Sequence, residues 1–196
     1  MTSPARFDPL VDLDGLWTHR LAERYLPIAG VAADKYECVD GKLILTPYEG
    51  TANGYAMLRL ADAMYRSASA AGLHVYPAVN VLFEPQRWVQ PDLVALNRSA
   101  RGLTWLPAEY VVMMVELGSP TSRRKDRCDK PTLCARHGIP YYLDVEITYE
   151  HQHAEATLFS LDDGRYVTIA RDDAHGAGTP AVLMPHTNAA PNNREL

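Results

Sequence analysis

Val111-Val112-Met113-Met114-Val115-Glu116, followed by Leu117-Gly118-Ser119-Pro120, decides how this chain folds. Five apolar residues in succession read as a strand covered on both faces. A carboxylate then closes the run. A buried strand does not end in a charge unless a group nearby compensates it. A metal ion is one such partner and a cationic side chain is another. Upstream, Val89-Gln90-Pro91-Asp92-Leu93-Val94 sets a second acid in an apolar segment. Downstream, Arg123 to Arg136 reads as a basic helix that carries Lys130.

Working outward from that strand, the elements alternate in type. Residues 1–11 read as a loose leader. Leu13, Leu16, Trp17, Leu21 and Tyr25 recur at helical spacing, which predicts a helix over Asp12 to Leu26, capped by Asp12 or Asp14. Tyr36 to Val39, Asp40-Gly41 and Lys42 to Thr46 form a hairpin signal, because Asp-Gly tolerates the positive φ of a tight turn. Ala52 to Ala71 carries one apolar stripe and Gly72 stops it. Strands are expected over 73–81, 88–96, 110–117 and 139–147, with a loop over 97–108. Pro131 marks a helix start or a kink. A second hairpin spans Ala154 to Ala170 around Asp162-Asp163-Gly164. Beyond Arg171 the chain is rich in Gly, Pro, Ala and Asn. Ala181 to Met184 is a candidate edge strand and 185–196 a disordered tail. The order predicts an α/β (α+β) fold with a mixed sheet flanked by helices, in one domain over 12–184.

Composition narrows the class. At 196 residues the chain can bury a proper core, and 47% apolar with 22% charged residues is ordinary for a globular protein. A net charge of -5 argues against a general nucleic-acid coating protein, yet leaves room for a local basic groove. No run is long enough to predict a membrane span, and no signal-peptide core follows Met1. Three cysteines, Cys38, Cys128 and Cys134, make no disulfide framework, so a cytoplasmic setting is expected.

Asp92 and Glu116 fall on separate expected strands. Neighbouring strands lie about 4.8 Å apart, so two carboxylates at matching heights can share a divalent ion. Mg²⁺ or Mn²⁺ suits such a pair, with water and phosphate oxygens completing the shell. The ion polarises a phosphoryl group and helps generate hydroxide. A lysine would stabilise the charge that develops, and Lys130 is the candidate.

Pro91-Asp92, Val115-Glu116 with Ser119-Pro120, Asp126, Lys130 and Gly138-Ile139-Pro140-Tyr141-Tyr142 resemble, in that order, the Uma-type restriction endonuclease family of the PD-(D/E)XK nuclease superfamily. Tyr36-Glu37-Cys38-Val39-Asp40-Gly41-Lys42-Leu43 is similar to that family's opening hairpin. The resemblance covers roughly residues 20–170. It implies a restriction-endonuclease-like sheet, a metal-dependent endonuclease acting on DNA, and Asp92 and Glu116 as metal-binding acids. It also implies Glu37 as an additional acid. The superfamily lysine falls two residues after the second acid, where this chain has Gly118; the resemblance moves that role to Lys130. The family's histidine at the start of the long helix is missing from Thr51-Ala52-Asn53-Gly54, and Tyr142 stands in place of a tryptophan.

Each residue also has a plainer reading. Asp92 suits a turn, Glu116 an ion pair with Arg123, Lys130 a solvated helix face and Glu37 an outward strand face. Asp126 suits a cap. Gln90 is a candidate for holding a water. Arg123, Arg124, Lys125 and Arg127 offer a phosphate-contacting surface or simply a charged face. His151, His153 and Glu155 are at strand spacing, which more often marks an exposed face than a metal site. Ser119 lacks the Gly-x-Ser-x-Gly setting of a nucleophile. Beside the nuclease stand two further readings: a binding module that kept the fold, with assembly as a homodimer open, and an enzyme for a small substrate.

Overall fold

The computed structural model describes residues 7–48, 50–118, 124–148 and 153–175, without the side chains of 52, 124–128 and 175. The expected edge strand over 181–184 and the tail over 185–196 lie outside these residues, as do residues 1–6 of the expected leader.

Val111–Gly118 (β8) forms one of the inner strands of a six-stranded mixed sheet. It runs parallel to β9 (Tyr141–Thr148) and antiparallel to β6 (Leu93–Leu96). The outer strands are β3 (His74–Pro77) on one side and the hairpin β10 (His153–Asp162) and β11 (Arg165–His175) on the other. Alternation along β8 divides its side chains between two cores. Met113 and Val115 pack with Leu60 and Met64 of helix α3 (Thr51–Ala70). Met114 packs with Leu133 and Cys134 of helix α4 (Arg124–Arg136). A strand sandwiched in this way must be apolar nearly throughout, which is why the run 111–115 is so legible.

A second, five-stranded sheet has the order β2-β1-β5-β4-β7. It holds the hairpin β1 (Lys35–Val39) and β2 (Lys42–Thr46), then β5 (Arg87–Val89), β4 (Asn80–Glu84) and β7 (Trp105–Pro107). Asp40 and Gly41 have φ of 52° and 78°, as the Asp-Gly turn requires. Asp163-Gly164 repeats the device between β10 and β11.

Two expected strands each turn out to be two. The segment 73–81 breaks at Ala78, whose φ is 47°, and its halves join different sheets. The segment 88–96 breaks at Gln90-Pro91-Asp92, and it too passes from the small sheet to the large one. A proline cannot donate to a ladder, so the crossing sits where Pro91 stands. The two crossings are tied together: Ala78 N donates to Asp92 O at 3.0 Å, and Gln90 Nε2 to Ala78 O at 3.1 Å.

Other differences are local. Of the helix expected over Asp12 to Leu26, α2 (His19–Tyr25) forms; α1 (Pro9–Asp12) falls almost wholly in the expected leader, which is therefore helical at its end, and Gly15 at φ 76° parts the two. Asp8 and Thr18 cap them, not Asp12 or Asp14. The loop over 97–108 contains β7, and β11 continues past Arg171 to His175. Helix α4 begins before Lys130 and carries Pro131 within it.

Gly41 has a second constraint besides its φ. A Cβ there would run into the backbone carbonyl of Gly15. Gly72, at φ 71°, has open space around it. Gly41→Ala is therefore expected to cost about 3 kcal/mol or more and Gly72→Ala about 1 kcal/mol. Urea denaturation of the two variants checks this; equal losses would contradict the packing of the hairpin turn on the Gly15 loop.

Candidate functional site

The buried charged residues among those described are Lys35, Glu37 and Asp92, and all three meet at the seam between the two sheets. Lys35 and Glu37 are two apart on β1, so they share one face of the strand. Lys35 Nζ contacts Asp92 Oδ1 in an ion pair. Asp92 Oδ2 accepts from the N–H of Leu117 at 2.6 Å, which fixes the crossing segment against the end of β8. Glu37 Oε1 accepts from Gln90 N at 2.9 Å.

Lys130 completes the group. Its Nζ lies 2.8 Å from Glu37 Oε1 and 2.9 Å from Glu116 Oε1. Packing explains why it reaches that far. Lys130 shares a helix stripe with Leu133 and Cys134. Cys134 Sγ touches Met114 Sδ at 3.2 Å. Stepping two residues along β8, from Met114 to Glu116, covers about 6.8 Å. Stepping four residues back along α4, from Cys134 to Lys130, covers about 6 Å. The sulfur contact therefore sets the register that brings Lys130 opposite Glu116.

Burial alone would lower the Lys130 pKa, but Glu116 and Glu37 outweigh it and raise it above the ordinary lysine value. The ammonium stays charged. Glu116 shows the opposite balance. Burial pushes its carboxyl up, Lys130 pulls it back, and the charges of Asp92 and Glu37 add to the rise, leaving it at about 7. Tyr142, next to this group, is held neutral chiefly by burial, with Glu116 adding to the effect.

Asp92, Glu116, Lys130 and Glu37 are thus brought together. Lys35 belongs with them and was not singled out in the sequence. It stands two residues before Glu37, one position ahead of the strand expected over Tyr36 to Val39, which the structure extends to include it. Asp144 is another: parallel pairing sets it beside Glu116, and both line the cleft over the site. Other candidates fall elsewhere. The side chain of Gln90 is spent on Ala78 O. His153 lies 3.8 Å from Asp173, away from the cluster. Arg123 and His151, and the side chains of Arg124, Lys125, Asp126 and Arg127, lie outside the described residues.

Asp92 and Glu116 carry carboxylates that could ligate a metal, with Glu37 and Asp144 lining the same cleft. Their donors are all oxygen, which matches Mg²⁺ or Mn²⁺ bound by one or two carboxylates with water and substrate oxygens. Among the described residues no group of three or more His, Cys, Asp or Glu side chains is disposed to hold a metal ion.

The fold is nuclease-like. Residues 22–183 match the Uma2 family, described as "Putative restriction endonuclease", and the chain belongs to that family. Among solved structures it is similar to a putative nuclease belonging to DUF820 from Anabaena variabilis ATCC 29413. The two are 12% identical over 68% of this chain and 75% of that one, with a TM-score of 0.52, a likeness of fold. No curated protein matches the chain at a significant level.

The Glu116 carboxyl gives a pH dependence with a definite sign. Its folded value of about 7 lies above the ordinary 4.5, so the folded chain holds that proton more tightly than the unfolded one. The stability this contributes is complete below pH 4.5 and is lost as pH rises towards 7. Lys130 stays protonated throughout and adds no slope. In EDTA, the melting temperature of the wild type should fall relative to Glu116→Gln across that window, by the equivalent of roughly 1–3 kcal/mol. Thermal melts on either side of the window test it; parallel pH profiles would remove the buried-carboxyl account.

Proposed function

We propose that this chain is a metal-dependent phosphodiesterase that cuts nucleic acid, with DNA as its substrate and endonucleolytic cleavage as its action. The observation that carries the reading is the meeting of Glu37, Lys130 and Glu116 beside the Lys35–Asp92 pair at the base of one cleft. Family and fold support the nuclease class.

In this reading Asp92 and Glu116 hold Mg²⁺ or Mn²⁺. The bound ion would supply Lewis-acid polarisation of the phosphoryl oxygen and a water of lowered pKa. Lys35 and the Leu117 N–H orient Asp92. Lys130, fixed between two carboxylates, presents a permanent positive charge to the oxygens that gain negative charge as the phosphorus is attacked. Glu37 keeps that ammonium in place. The basic segment Arg123, Arg124, Lys125 and Arg127 would contact the phosphate backbone, since Arg124, Lys125 and Arg127 belong to the start of the helix that bears Lys130. Buried, unbridged Cys38 and Cys134 suit a cytoplasmic protein.

A second reading, an enzyme for a small substrate, draws on the size of the cleft, about 550 Å³, which lies within the range of small-ligand sites.

The purified chain with Mn²⁺ is expected to cleave DNA. Asp92→Asn and Glu116→Gln should each lower the rate at least a hundredfold, and Lys130→Gln roughly 10²–10³-fold. A gel assay on single- and double-stranded DNA and RNA checks this. No cutting by the wild type under any of these conditions, with Asp92→Asn indistinguishable from it, would end the proposal.

A further inference from the structure

The cleft has a charged floor and carbon walls. Lys35, Glu37, Asp92, Glu116 and Lys130 make the floor. Ile44 and Tyr48 come from the N-terminal hairpin region, and Phe159 and Tyr166 from the C-terminal hairpin. Tyr48 directly follows Pro47 at the end of β2 and is 70% exposed. A large ring left in water at the mouth of a site is a surface on which another flat group can stack.

One polar group in the walls lacks a use. Asn53, in the first turn of α3, lines the cleft, and its Oδ1 is buried with no hydrogen-bond partner among the described residues. A shielded amide oxygen without a donor is costly unless something supplies one. Nucleobases carry such donors on their edges, as amino or imino N–H groups.

Charge around the cleft bears on what can enter. Pairing sets Gly118, Glu146, Glu155 and Asp173 in one row across four strands. That row lies on the face of the sheet that also presents Asp144 to the cleft, because Asp144 and Glu146 are two apart on β9. A continuous duplex laid over this face would bring its phosphates onto the carboxylates of that row, with Arg171 the cation that pairing places on the same face. A single strand can bend away and deliver one nucleotide.

We propose that the cleft receives one unpaired nucleotide, with its base stacked on Tyr48 and hydrogen-bonded to Asn53, and its phosphate over Asp92 and Glu116. The substrate class is then single-stranded or locally unpaired nucleic acid, not continuous duplex. This rests on the phosphodiesterase reading and narrows it.

Fluorescence anisotropy with short labelled oligonucleotides in Ca²⁺ tests the idea on the whole chain. The probes are an oligodeoxyadenylate, an oligoriboadenylate, the deoxy strand with abasic positions, and a DNA duplex of the same length. At least one single strand should bind about tenfold or more tighter than the duplex, and the better of the two tells DNA from RNA. Tyr48→Ala should weaken that binding roughly tenfold, and Asn53→Leu about three- to tenfold, with neither melting temperature lowered. The abasic strand should bind weakly and be insensitive to both substitutions. Equal affinity for the duplex, no binding of either single strand, or single-strand affinity unmoved by both substitutions would overturn the proposal. The two readings fail separately. Mn²⁺-dependent cutting of duplex that ignores Tyr48→Ala would keep the phosphodiesterase and discard the nucleotide pocket. Single-strand binding that depends on Tyr48 and Asn53, with no bond ever cut, would do the reverse.

Discussion

Lys130 sits between two carboxylates in a place where water has little access, and its charge is what lets both remain there. Removing one partner from a buried ion pair costs about 3–5 kcal/mol, because the other is left without compensation. Here one ammonium serves two acids, Glu37 from the small sheet and Glu116 from the large one. The Lys35–Asp92 pair does the same work one step away. Three structural units, a hairpin, an inner strand and a helix, are thereby held in one register by electrostatics, and the Cys134–Met114 contact fixes the helix along the strand.

That arrangement leaves more negative than positive charge in the cluster. Glu37, Asp92 and Glu116 face Lys35 and Lys130, with Asp144 close by. Burial raises the Glu116 carboxyl first, and the charges of Asp92 and Glu37 add to the rise. A site so poised is hospitable to a cation and, through a cation, to a phosphate. The aromatic walls add what the charges cannot supply, an affinity for a flat, weakly polar ring.

Much of this was legible in the sequence, for identifiable reasons. The run 111–115 announces its strand because both faces are covered. Asp40-Gly41 and Asp163-Gly164 announce hairpins because few other pairs accept two positive φ values. Glu116 was readable as a buried acid in need of compensation, but the sequence offered Arg123 or a metal for it, and Lys130 came in through its likeness to the family's lysine. The crossings were harder. Apolar residues continue on both sides of Gln90-Pro91-Asp92, so the segment resembles one strand, and only the proline objects. Ala78 carries no mark of its positive φ; it is imposed by the change of sheet. Lys35 was passed over because a lysine at a strand's first residue usually faces water, and its burial depends on Asp92 from a distant segment. Asn53 and Asp144 likewise acquire meaning only from what tertiary packing puts opposite them.

The order in which these charges occur along the chain has a consequence for biosynthesis. Lys35, Glu37, Asp92 and Glu116 all leave the ribosome before Lys130 does. Until α4 exists, Glu37 and Glu116 have no shared counter-charge, and bringing the hairpin against β8 would bury two acids that repel each other. Closing the cleft therefore costs more before the helix arrives than after it.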